Sequence, residues 1–156
     1  MAQSNESHPV LSHTDAIASN TSDVLLLIGR VLLGWLFLAS AAGFGGKLWN
    51  IAGFAGYLTG LKVPAPGFWA WPGALAEVLI GICLVLGLAT RYAALVCAIF
   101  LIIATALAHR YWEYPAAQIG GQYSSFLKNL ALFGGALVIF VTGPGRFSID
   151  RLLSKK

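Results

Sequence analysis

Charge is what this sequence has least of. Asp, Glu, Lys and Arg make up 10% of its 156 residues, whereas 58% are apolar and the mean hydropathy is +0.76. A soluble domain needs a charged surface, so a chain this poor in charge departs from soluble averages toward an integral membrane protein. Histidine is as sparse. His8 and His13 fall in a polar N-terminal stretch and receive no role, and His109 alone ends an apolar run. A haem held between spans by two histidines is thereby excluded. The two cysteines, Cys83 and Cys97, form neither a CxxC pair nor a metal-type spacing, which leaves no ligand set for zinc or for iron and sulfur. No dinucleotide-binding glycine fingerprint follows a strand. No metal site and no intrinsic cofactor are expected, and any electron donor must sit on another protein.

The net charge of +4 and pI of 9.3 do not point to nucleic acid, because the basic residues are scattered over loop ends and a short tail instead of forming a stripe that tracks phosphates. No Lys or Arg precedes Arg30, so the start of the chain lacks the basic region of a secretory signal.

What the sequence does have is long apolar runs. Val24–Gly45, Ala70–Ala89, Tyr92–Ala108 and Phe126–Gly143 each approach the roughly 20 residues that cross a bilayer. They predict an all-α fold, an integral membrane four-helix bundle occupying 24–153. A disordered tail is expected over 1–23 and a short basic end over 154–156. Four spans leave no room within these residues for a soluble catalytic domain, so chemistry must lie in the bundle or at its rims. Between the first two spans, Ile51, Phe54, Leu58 and Leu61 recur at helical spacing, predicting a short interfacial helix over Trp49–Leu61. Trp49, Tyr57, Trp69 and Trp71 suit the aromatic belt at headgroup level.

Within the second run stands one carboxylate, Glu77. An ionisable group inside a span costs about 2.5–3.5 kcal/mol on insertion scales, so it faces protein or water and often marks a site. Gly73, Glu77 and Gly81 follow at i, i+4 and i+8, which sets the carboxylate on a stripe of small residues that a neighbouring helix can approach closely. The tight turn at Arg91 makes the second and third spans a hairpin, which places Glu77 level with Ile103 and Cys83 level with Cys97. The cysteines are therefore either small apolar fillers or a redox pair. Arg30, about two turns into the first span, either snorkels to the interface or forms a structural ion pair with Asp150 at that end of the bundle.

Several segments taken together resemble the DoxX family of small four-span membrane proteins: IGRVLLGWLFLASAAGFGGKL in the first span, GFAGYL and PAP in the connector, ALAEVLIGICLVLGLATR in the second span, the histidine closing the third, FLKNLALFGGAL, and GPGRFSIDRLL. The resemblance runs from Leu25 to Leu153 and matches the family pattern at Arg30, Lys47, Glu77, His109 and Asn129. It implies a bacterial inner-membrane protein associated with quinone-linked oxidation of reduced sulfur compounds or with oxidative and thiol stress, acting beside another redox protein. On that reading Glu77 and His109 are the candidate catalytic residues, Glu77 relaying a proton. Asn129, Lys128 and Lys47 are candidate contacts to a quinone or an anion. The alternatives are a non-enzymatic membrane anchor or assembly factor, in which Glu77 is a structural hydrogen-bonding group or half of an ion pair, and a small transporter working as a homo-oligomer.

With four spans, Arg30, Arg91, Arg146, Arg151, Lys155 and Lys156 share one side, against Lys47, Lys62, Arg110 and Lys128 on the other. Lys and Arg concentrate on the cytoplasmic side of membrane proteins, so both termini are expected in the cytoplasm. Single cysteines placed by Ser154→Cys and Lys62→Cys test this: in intact cells an impermeant thiol reagent should label the second and spare the first, and the reverse pattern would overturn the orientation.

Overall fold

A computed structural model describes residues 19–154, and among them every regular element is helical. The order is α1 (Ser19–Ala42), α2 (Ile51–Gly60), α3 (Pro66–Leu86), α4 (Thr90–Ala108), a 3₁₀ turn (Tyr111–Glu113), α5 (Ala116–Thr142) and α6 (Ile149–Leu153). The helices α1, α3, α4 and α5 are long and apolar enough to cross a membrane, and α2 is the short helix expected between the first two spans.

Two boundaries differ from the sequence reading. α1 begins at Ser19, so the last residues of the tail expected over 1–23 belong to the first span; the rest of that tail, with His8 and His13, lies outside the described residues, as do Lys155 and Lys156. α5 begins at Ala116, ten residues before the predicted start, with Pro115 at its N-cap. Gln, Ser and Gly in 116–125 dilute the apolar signal, but none of them stops a helix. At 27 residues α5 is about 40 Å long against a hydrocarbon core of about 30 Å, so its first turns extend past that core.

α1 and α3 form the most extensive interface. Glycine permits it: a Cβ at Gly34 would stand 2.8 Å from the Gly81 carbonyl oxygen, and a Cβ at Gly81 would stand 2.8 Å from that of Gly34. Backbones meet at this crossing as small residues allow in membrane bundles. Leu33 and Phe37 of α1, Ile80 and Leu84 of α3, Ala94, Cys97 and Leu101 of α4, and Ala136 and Ile139 of α5 fill the centre. Phe37 meets Phe100 edge to face at 5.8 Å. Cys97 is part of this core and Cys83 packs against it, both as free thiols. The large apolar side chains Leu32, Leu79, Ile102 and Val141 are exposed, as suits helices that face lipid.

The end that carries the C-terminus is tied by polar groups. Arg30 is 2% exposed, and its guanidinium donates Nη1–H to the Pro144 carbonyl at 3.1 Å and Nη2–H to the Phe147 carbonyl at 2.6 Å. Asp150 lies at the same end, as expected, but its carboxylate does not pair with Arg30. Instead Oδ1 accepts the Ala89 N–H at 2.7 Å and Oδ2 the Thr90 N–H at 2.8 Å, so that Asp150 caps α4 from sixty positions away. Its own N–H donates to the Gly87 carbonyl at 2.9 Å. Gly87 has φ +68°, and a Cβ there would fall 1.7 Å from Arg30 Nη1. The arginine is buried because backbone carbonyls of the chain's end receive it, which replaces both the snorkelling and the direct ion pair considered from sequence. On the same face, Asp23 accepts the Arg146 N–H at 2.9 Å.

Burial alone would raise the Asp150 carboxyl, but the N–H groups of Thr90 and Ala89, aided by the charge of Arg30, hold it below its ordinary value of 3.8. A carboxylate depressed on folding stabilises the protein above its unfolded pKa, and that contribution is lost as pH falls through the folded one. Thermal unfolding in detergent between about pH 6 and pH 3 should therefore show a loss of stability in the acid part of that range. Asp150→Asn should be less stable at neutral pH and show a flatter acid limb; an unchanged profile would mean that the cap contributes nothing.

Candidate functional site

At the end of the bundle opposite Asp150, α1 stops at Ala42 and the chain folds back on itself. Lys47 N–H donates to the Ser40 carbonyl at 3.3 Å and Leu48 N–H to the Ala41 carbonyl at 2.9 Å, with Gly45 at φ +72° making the turn. Trp49 Nε1–H closes the end of α1 by donating to the Ala42 carbonyl at 2.8 Å. This turn sends the Lys47 side chain inward to Glu77, whose Oε1 accepts from Lys47 Nζ in an ion pair. The ammonium also sits 5.1 Å from the centroid of the Phe54 ring, a cation–π contact from α2.

Glu77 is 3% exposed. Only one of its oxygens is answered: Oε2 is buried and has no hydrogen-bond partner. Both residues line a cavity of about 550 Å³ between α2, α3 and α4. Its walls are apolar, with Phe54 and Leu58 from α2, Trp69 and Gly73 from α3, and Phe100 and Ala104 from α4. Polar groups converge at few points: the Lys47–Glu77 pair, Tyr57 and His109. Burial, with Tyr114 adding to it, pushes the Tyr57 phenol above its ordinary range, so Tyr57 remains a protonated hydroxyl at neutral pH. His109 Nδ1 lies 2.9 Å from Gln122 Oε1 of α5. With that oxygen accepting, Nδ1 is the donor of this bond.

The residues singled out from sequence divide here into four groups. Lys47, Glu77 and His109 share the cavity. Asn129 does not: its Nδ2–H donates to Thr105 Oγ1 at 3.0 Å, and it lines a separate cavity of about 290 Å³ between α4 and α5 with Trp112, Phe126 and Phe133. Lys128 is exposed and lines neither cavity. Because α5 starts at Ala116, Lys128 and Asn129 lie more than three turns inside it instead of opening the span, and its rotation turns Asn129 to the other side of α4. Arg30 and Asp150 belong to the opposite end. Sequence reasoning named Tyr57 only as an interfacial anchor and missed Gln122, whose signal lay in the polar turns of α5 ahead of the predicted span.

An apolar chamber with a few convergent polar groups has the general character of a small-molecule site. Comparison with known proteins agrees with the membrane character and narrows the family. The sequence model of the DoxX family matches residues 25–110, and that of the SURF4 family matches residues 70–156. The chain is similar to the inner membrane protein YqjF of Escherichia coli, 37% identical over 134 residues that cover 86% of this chain and 95% of that protein. It is also similar to the inner membrane protein YphA of the same organism, 32% identical over 128 residues, covering 82% and 89% respectively. A shorter likeness of 26% over 81 residues, 52% of this chain and 26% of the other, relates it to the ER-derived vesicles protein ERV29 of Saccharomyces cerevisiae. No solved structure matches.

Removing one partner of a buried ion pair leaves an uncompensated charge, which costs on the order of 3 kcal/mol, whereas replacing both by apolar groups is often neutral. Lys47→Met should therefore lower unfolding stability in detergent by about that amount, and Lys47→Met with Glu77→Leu should recover most of it. Additive losses in the double variant would show that the two residues act independently.

Proposed function

Since the chain belongs to the DoxX family and forms a multi-pass inner-membrane protein, we propose that its cavity receives the head of a lipid-soluble quinone, and that the protein serves as the membrane subunit of a redox complex whose electron donor lies on a partner. The observation that carries this reading is the Lys47–Glu77 ion pair on the wall of an apolar chamber of about 550 Å³, large enough for a substituted ring. The donor set suits such a head: Tyr57 offers an O–H, Lys47 an ammonium, and His109 a ring nitrogen at the rim.

A bound quinone would supply the capacity to take up two electrons with two protons. What the chain itself contributes is placement and proton handling. The aromatic walls exclude water from the ring. Lys47 holds Glu77 in one orientation through Oε1, and the carboxyl group is the one that takes or gives a proton at the cavity wall. His109, fixed by Gln122, stands at the mouth as the next group outward. Glu77 and His109 are thus the proposed catalytic pair, and Asn129 drops out as a contact.

A second reading is favoured by the ion pair itself. Lys47 and Glu77 fasten the turn after α1 to α3, and a membrane anchor or assembly factor would need no more than that. Glu77→Gln keeps shape and hydrogen bonding while removing the titratable proton, so it separates the two. A folded Gln variant that no longer protects cells from thiol or oxidative stress supports proton handling. A fully active one, beside a Glu77→Leu variant that fails to accumulate, supports the anchor.

The quinone reading has its own test. Protein extracted from membranes in mild detergent should carry quinone at a ratio approaching equimolar. Ala104→Trp, which fills the cavity from α4, should lose that quinone while eluting as a folded species. Native protein free of quinone, with no redox protein co-purifying, would overturn the proposal.

A further inference from the structure

We propose that the polar pocket at the end of the bundle carrying the C-terminus seats the phosphodiester headgroup of one anionic phospholipid. This pocket, of about 590 Å³, is lined by Asp23 near the start of α1, by Pro144, Gly145 and Arg146 in the turn after α5, and by Arg151 of α6. It shares no residue with the cavity beside Glu77. The turn that carries it is braced by its own hydrogen bonds. Gly143 and Gly145 take φ +84° and +71°, and the Arg146 N–H is held by Asp23 Oδ1 at 2.9 Å. Ser148 Oγ donates to the Gly145 carbonyl at 2.8 Å and accepts the Arg151 N–H at 3.2 Å. Both arginines therefore rise from one fixed stretch of backbone. Arg151 is exposed, and among the described residues its guanidinium has no hydrogen-bond or ion-pair partner.

Two guanidiniums against one carboxylate leave the pocket with a net charge of +1, the complement of a monoanionic phosphodiester. Guanidinium groups hold phosphate oxygens through paired N–H donors, and basic pockets at the rims of membrane bundles take lipid headgroups. The position favours a lipid over a soluble phosphate. Asp23 lies near the start of one span and Pro144 just past the end of another, so the pocket opens at the membrane surface where headgroups lie. Beside Arg151, Leu152 is 68% and Leu153 59% exposed, apolar side chains that enter the acyl region while the arginine reaches back to the headgroup. The same turn gives Arg30 the carbonyls of Pro144 and Phe147, and Asp150 of α6 caps α4. A headgroup held there fixes the ends of α1, α4 and α5 together, so its binding registers as stability.

The test is thermal unfolding of the full-length protein in mild detergent, alone and with phosphatidylglycerol, phosphatidylcholine or soluble glycerol 3-phosphate, beside native mass spectrometry for retained lipid. Phosphatidylglycerol should raise the unfolding temperature by about 5 °C or more and be retained at about one molecule per chain, and neither of the other two should match it. Arg151→Gln should unfold at the native temperature without lipid and lose most of the increment. Lys62→Gln, which removes the same charge at the other end of the bundle, should keep it. An equal rise with phosphatidylcholine would overturn the preference for an anionic headgroup, and an equal rise with glycerol 3-phosphate would overturn the lipid in favour of free phosphate. An equal loss in both variants would reduce the effect to overall charge, and an undiminished increment in Arg151→Gln would overturn the seat itself.

Discussion

A charge placed inside a bilayer finds no partner in the solvent, and this constraint governs both ends of the bundle. At one end Glu77 is answered by a lysine that the chain delivers by folding back after α1. At the other, Arg30 is answered by carbonyls of the segment that follows α5. Neither charge is held by its own helix, so each one ties together parts of the chain far apart in sequence. Apolar packing between helices surrounded by lipid provides little directional preference, and these polar ties supply it. The close crossing at Gly34 and Gly81 brings α1 and α3 together, and the Lys47–Glu77 tie joins the turn after α1 to α3.

The two ties differ in their surroundings. The guanidinium of Arg30 gives two hydrogen bonds to carbonyls in a packed corner, with Gly87 leaving room for it. Glu77 is answered at one oxygen only, and the residue lines an apolar cavity. Each charge keeps one buried atom without a partner, Oε2 of Glu77 and Nε of Arg30, so what distinguishes the two ends is the cavity that Lys47 and Glu77 line.

How much of this was legible in the sequence follows from what sequence encodes. The stripe of Gly73, Glu77 and Gly81 turned the carboxylate inward correctly, because periodicity along one helix fixes which residues share a face. The hairpin at Arg91 put Glu77 near Ile103, and both line the cavity. Arg30 and Asp150 were brought to the same end by counting spans. What failed was anything that depended on how one helix is rotated against the next. Asn129 sits at a useful depth but faces the other side of α4, a fact absent from its own helix's pattern. Asp150 was read as a charge looking for a charge. Its nearest unmet need was the pair of unbonded N–H groups where α4 begins, and sequence order hides that adjacency across sixty positions.

The capping of α4 by Asp150 also bears on the order in which the molecule is made. A chain leaves the ribosome from its N-terminus, so α3 and α4 are synthesised while the residues that will close their shared turn do not yet exist. Arg30, earlier still, must wait with an unanswered guanidinium until Pro144 and Phe147 emerge. The segment after α5 thus closes contacts to the first, second and third spans together. A chain that stops before Pro144 would leave the cation of Arg30 without its two carbonyls and α4 without its cap.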